Sequence, residues 1–187
     1  VNTGQGLQQW RLSAVTTAQN FAQFVLGWDP TPPTTVVSGG GAHDARAVVL
    51  IKNPSAGNAA IMVSLSRLEL NTNGGIWEVT DVATDGMALT SPQSGQQLTS
   101  PVEVMGSQAA LAGQLTAITI FDHDRTAIGQ ATVTQASGAG NAPFAIRLSY
   151  ASTFQGGTQE GSIALYRYTG NHVIAGAVMV KVLLSPS

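Results

Sequence analysis

Hydrophobic residues change their spacing once along this chain. From Ala14 to Trp28 they recur at three- and four-residue steps, with Val15, Ala18, Ala22, Val25 and Leu26 on one side and Phe21, Phe24 and Trp28 widening the stripe. The spacing predicts a helix over 14–28, opened by Ser13 as N-cap and stopped by a left-handed Gly27. Asp29-Pro30-Thr31-Pro32-Pro33 cannot continue it, because proline lacks the amide donor and disfavours helix in the residue before it. Thereafter the period is two. Ala47 to Lys52 is a short apolar run, Asn53-Pro54-Ser55-Ala56-Gly57-Asn58 is a turn, and Ile61 to Leu70 is a long strand. Asn71-Thr72-Asn73-Gly74-Gly75 then turns the chain into a strand over Ile76 to Val82. One helix followed by an antiparallel meander is expected up to this point.

From Met87 onward no helical period survives. Short β-type runs alternate with turn clusters, predicting strands near 87–90, 101–107, 115–121, 127–135, 143–150, 161–168 and 173–184. Asp122-His123-Asp124-Arg125 and Ser137-Gly138-Ala139-Gly140-Asn141 supply turns. In the last strand Val178, Val180 and Val182 share a face, with Lys181 opposite. The expected fold is an α+β N-terminal subdomain over 10–86, followed by an all-β immunoglobulin-like sandwich of about seven strands over 87–187. A flexible segment over 1–9 precedes them, and Thr84-Asp85-Gly86 is the expected hinge.

Several pieces of the second half occur in a telling order: Ser91-Pro92 with Gly95, then Ser100-Pro101-Val102-Glu103-Val104-Met105-Gly106, Ala142-Pro143-Phe144 and Gly161-Ser162-Ile163-Ala164-Leu165. This order resembles the immunoglobulin-like domain of bacterial spore-germination proteins. The resemblance spans about 88–185 and implies a small exported sandwich that accompanies other envelope domains, often in lipoproteins. The chain departs from that family at Leu111-Ala112, where a Phe-Glu pair is usual, and at Arg167-Tyr168-Thr169-Gly170-Asn171-His172, which replaces an acidic segment. The stretch Gly74 to Val82 resembles the closing strand of cystatin-like and nuclear-transport-factor-like α+β sheets, which implies a helix lying on a curved sheet.

Composition bears on where such a fold works. Apolar residues make up 43% of the chain and charged residues only 10%, well below the ~25% usual in soluble domains, so Gln, Asn, Ser, Thr and Gly must build the surface. Such a surface points to export. A secreted protein, or one on the outer face of the cell envelope and lipid-anchored through a removed N-terminal segment, is the expectation. The net charge is −2, without any run of like charge, and lysine occurs only at Lys52 and Lys181, so neither nucleic acid nor anionic lipid is an expected partner. No apolar run is long enough to span a membrane. Cysteine is absent, which removes disulfides, thiolate catalysis and Cys-ligated zinc together.

Candidate chemistry is sparse. His43-Asp44 and His123-Asp124 are metal-capable pairs, but they lie in separate loops without ligand spacing, so no metal and no cofactor are expected. No Gly-x-Ser-x-Gly occurs, and Ser38-Gly39-Gly40-Gly41 lacks the downstream lysine of a phosphate-cradling loop. The ten acids offer no pair for glycoside hydrolysis. Aromatic side chains remain. Tyr166 and Tyr168 alternate with Leu165 and Arg167, so if Ile163 and Leu165 face the core both tyrosines face away from it, as a binding surface or an interdomain contact. Trp77 reads as core. The expected function is a non-catalytic envelope interaction module that binds a protein or cell-wall partner through Tyr166 and Tyr168. A small-ligand or lipid carrier, with an apolar cavity under helix 14–28, and an envelope hydrolase are the alternatives.

Overall fold

A computed structural model of the chain describes residues 9–68, 75–109, 115–133 and 140–187. The chain divides into two compact units, Val1–Val82 and Ala83–Ser187. Among the described residues it is built of mostly antiparallel strands and a single α-helix.

In the first unit a 3-10 turn over Gln9–Leu12 leads into α1 (Ala14–Phe24). The Ser13 side chain accepts from the Thr16 amide at 3.4 Å, and the Thr17 hydroxyl donates to the Ser13 carbonyl at 2.8 Å, so the first turn is capped as expected. The helix ends four residues before Trp28, with Val25 as its C-cap, and Gly27 takes the left-handed conformation while the Trp28 amide reaches back to the Ala22 carbonyl. Its buried stripe is Ala14, Thr17, Ala18, Phe21 and Ala22. Small side chains on that stripe let the backbone come close to its neighbours: a Cβ on Gly40 would lie 3.7 Å from both Ala14 Cβ and Ala47 Cβ. Phe24, expected on the stripe, instead stands 71% exposed, because the last turn of the helix carries it past the buried side.

The strands β1 (Thr34–Gly39), β2 (Arg46–Asn53), β3 (Ala59–Leu68) and β4 (Ile76–Ala83) follow in that order across the first unit, and α1 packs against β1 and β2. Ala47, Val49 and Ile51 of β2 lie directly opposite Leu65, Val63 and Ile61 of β3, all buried, which is the period-two face read from the sequence. The turn between β2 and β3 is a short 3-10 piece capped by the Asn53 side chain on the Ser55 amide, with Gly57 left-handed behind it. β1 was not foreseen. All but its first residue are exposed, so no alternation marks it, and a bulge separates Val36 from Ser38. Leu70 and the 71–74 turn lie outside the described residues, as does the 1–9 segment except Gln9.

In the second unit β5 (Met87–Ser91), β7 (Val102–Ala109) and β10 (Asn141–Leu148) form one sheet in the order β10-β7-β5. Opposite it lie β8 (Leu115–Phe121), β9 (Ala127–Val133), β11 (Gln159–Tyr168) and β12 (Ile174–Leu184) in the order β12-β11-β8-β9. The two-residue β6 (Gln97–Leu98), too short to show a period, runs parallel along the end of β12. The seven longer strands fall where the alternation places them; residues 134–139, with one of the expected turns, lie outside the described residues. Val102 and Val104 of one sheet and Ile118, Ile120, Ile163, Leu165, Val178 and Val182 of the other fill a shared core. Each such side chain contributes roughly 1.5–3 kcal/mol by leaving water.

Tyr150 ties the ends of this unit together. Its buried hydroxyl lies 3.0 Å from the Leu98 carbonyl and 2.8 Å from the Ser185 carbonyl, sharing its proton between β6 and the residue after β12. Tyr150→Phe strips both carbonyls of this donor and should cost about 1–2 kcal/mol in a denaturant melt.

Candidate functional site

The outer face of β8 and β11 carries the aromatic side chains singled out above. Tyr166 pairs with Ala117 across the strands and Tyr168 with Leu115, on the side of β11 opposite Ile163 and Leu165. Tyr166 is flanked by two small residues, Ala117 on β8 and Ala177 on β12. Tyr166 meets Phe121 edge-on, with centroids 6.4 Å apart at 74°, and meets Tyr168 at 6.2 Å and 60°. These are favoured aromatic geometries, worth about 0.5–1.5 kcal/mol each beyond area burial. The two tyrosines differ in exposure. Tyr166 is 3% exposed and its hydroxyl has no hydrogen-bond partner among the described residues, whereas Tyr168 is half-buried and its cross-strand partner Leu115 is 45% exposed. The stripe Phe121–Tyr166–Tyr168–Leu115 therefore opens to solvent at its Leu115 end.

Burial is the largest influence on each of the chain's three tyrosines, Tyr150, Tyr166 and Tyr168, and it raises all three phenol pKa values; for Tyr166 the neighbouring Tyr168 adds to the rise. Above about pH 10 an unfolded chain releases phenol protons that the folded chain still holds, so the unfolded state binds fewer protons. Stability should therefore be level below about pH 10 as far as these groups are concerned, and fall as pH rises above it. The check is a phenolate absorbance titration run beside circular dichroism. Free-tyrosine ionisation with the fold intact would show that the rings are solvated.

No family model and no curated protein matches the chain in comparisons with known proteins. The functional reading therefore rests on the residues themselves.

The two histidine pairs belong to different units. His43-Asp44 lies in the first unit, where the Asp44 carboxylate accepts from the Gly41 amide at 2.8 Å. The Arg67 guanidinium donates to the Gly41 and Ala42 carbonyls and stands 4.5 Å from the Trp77 ring centre, so the glycine loop is pinned by its own neighbours. His123-Asp124 is in the second unit, where His123 contacts Asp124 at 3.2 Å and the Gln159 amide. The adjacent Asp122 is buried. Its carboxylate accepts from the Asp124 and Thr126 amides at 3.0 and 2.8 Å and from the Thr153 hydroxyl at 3.3 Å, which builds the turn. Among the described residues no group of three His, Asp or Glu side chains could hold a metal ion, and no helix is long and apolar enough to cross a membrane.

Sequence reasoning passed over a polar layer at one end of the sandwich interior. Arg167 continues the face of Ile163 and Leu165, and Gln108 continues that of Val102, Val104 and Gly106. The same period-two count that placed the tyrosines outward places these two inward.

Proposed function

We propose that this chain is a non-catalytic interaction module of the bacterial cell envelope, exported and binding a protein or cell-wall partner, whose second unit is an immunoglobulin-like sandwich like that of spore-germination proteins. The observation that carries the reading is the stripe on β8 and β11: three aromatic rings in edge-on and tilted contact run to an exposed edge at Tyr168 and Leu115. Rings packed edge to face present a stiff apolar surface that loses little side-chain entropy when a partner covers it, as anchors of interfaces commonly do. In this reading Tyr168 and Leu115 touch the partner, and Tyr166 holds Tyr168 in position from beneath. The hydroxyl- and amide-rich composition and the order of the motifs from Ser91 to Leu165 support the compartment and the family.

The test is capture from a bacterial envelope extract and from purified cell-wall material by the wild type and by the pair Tyr168→Ser with Leu115→Ser. Leu115 is exposed and Tyr168 half-buried, so the pair should cost about 1–3 kcal/mol, mostly from the Tyr168 ring, and still fold. Capture should fall about tenfold or more if one anchor contact is lost. A stable pair that captures as well as the wild type refutes this surface.

A further inference from the structure

The inner faces of the two sheets are apolar until their last layer. There Arg167 is flanked by Thr116 of β8 and Gly176 of β12, and Gln108 on the facing sheet is flanked by Met87 of β5 and Ala142 of β10. The contacts at Gly176 bring the two sheets' side chains to one place. A Cβ there would stand 2.8 Å from Met87 Sδ, 3.1 Å from Thr84 Cγ2 and 3.2 Å from Arg167 Nη2, so the guanidinium and the thioether converge over a residue that has no side chain. Met87 in turn lies directly opposite Gln108.

Three features of this layer are costly as they stand. Gln108 is 1% exposed, yet neither its amide nitrogen nor its amide oxygen has a hydrogen-bond partner among the described residues. Arg167 is half-buried, and its Nε is likewise without a partner. No carboxylate among the described residues forms an ion pair with Arg167, and desolvation lowers its pKa from the ordinary arginine value. A desolvated guanidinium without a counter-ion, in the same interior layer as an unsatisfied carboxamide on the facing sheet, is a combination that folding alone disfavours and an incoming anion relieves.

We propose that this terminal layer, formed by Arg167, Gln108 and Gly176 between the two sheets of the second unit, binds a carboxylate group. The planar fork of Arg167 offers two parallel N–H donors to the two oxygens of a carboxylate, which a point cation cannot do. The Gln108 amide adds a donor from the facing sheet, and its oxygen accepts from a ligand N–H beside the carboxylate. Met87 and Ala142 supply an apolar wall for the carbon that bears the group. The same chemistry is presented by a small organic acid and by the C-terminus of a peptide. This assignment is independent of the surface at Tyr168 and Leu115.

Propionate, N-acetyl-dialanine with a free carboxylate and the same dipeptide as its C-terminal amide separate the cases when titrated into the full chain. The readout is heteronuclear NMR of the Arg167 Nε–H and Gln108 amide NH2 signals. Both free acids should shift these signals saturably and the amide should not. Equal affinity for the two acids identifies a small-acid site, and tighter binding of the dipeptide identifies a peptide terminus. Arg167→Met and Gln108→Met replace unsatisfied polar atoms by an apolar chain of similar length, so each should keep or raise Tm while weakening the free acid about thirtyfold or more for Arg167→Met. No saturable shift with either acid, equal binding of the amide, or undiminished binding by a folded Arg167→Met chain overturns the proposal. If Arg167→Met does not fold, the wild-type titration together with Gln108→Met decides it.

Discussion

Gly106→Ala should destabilise the second unit by about 3 kcal/mol or more, lowering its Tm by roughly 10 °C or more. A Cβ at this position would stand 2.2 Å from the Ala88 carbonyl oxygen and 2.6 Å from Phe144 Cζ. The first contact is with the backbone of β5, which pairs with β7 through Leu89 and Gly106, so it cannot be relieved by a rotamer change. The second is with a ring that packs against the core from β10. Alanine is otherwise the better residue here, because it costs less chain entropy than glycine in a strand, so any loss measures the close approach itself. Gly156→Ala is the control: nothing lies within 4 Å of the added carbon, and its melt should stay within about 0.5 kcal/mol of the wild type. A Gly106→Ala protein that melts like the Gly156→Ala control would mean that β5 and β7 are not paired in this register.

The second large effect belongs to Tyr166. Truncation to alanine removes a ring that is almost fully buried and touches both Phe121 and Tyr168, and should cost about 3–5 kcal/mol. Tyr166→Phe keeps the ring and deletes only a buried hydroxyl that has no partner among the described residues, so it should be neutral or stabilising by about 1 kcal/mol. The contrast separates packing from hydrogen bonding at one position, and urea melts of the two variants measure it. A costly Tyr166→Phe would reveal an acceptor for the hydroxyl; a harmless Tyr166→Ala would show the ring to be solvated. The difference from Tyr168 matters for function, because only the residue with free surface can meet a partner directly.

Much of this architecture was legible from alternation alone. In β2, β3 and β7 one face is buried, so apolar residues such as Val49, Val63 and Val104 mark every second position; the middle of β11 is buried on both faces, from Ile163 to Tyr166, and there the apolar run is continuous. The helix was legible for the same reason, although its end was not: Val25, Leu26 and Trp28 keep the apolar spacing after the chain has left the helix at Phe24. β1 gave no signal because nearly all its residues are exposed on both sides, and β6 is shorter than one period. For the candidate site, periodicity put Tyr166 and Tyr168 on one outer face but carried no information on depth. Burial of one ring and exposure of the other follow from tertiary packing, which no count along the strand contains. The inward Arg167 and Gln108 were legible in the same count and were masked by their polarity, which reads as surface until the register is known.

Photo-crosslinking tests the proposed interaction module most directly. A photoreactive phenylalanine analogue in place of Tyr168 should, on irradiation in envelope extract, give a discrete adduct with a protein or cell-wall fragment. The same analogue in place of Gln130, exposed on the outer face of β9, should give none. Absence of any adduct from Tyr168, or an equal yield of the same adduct from both positions, would contradict the assignment of a partner surface to the aromatic stripe of the second unit.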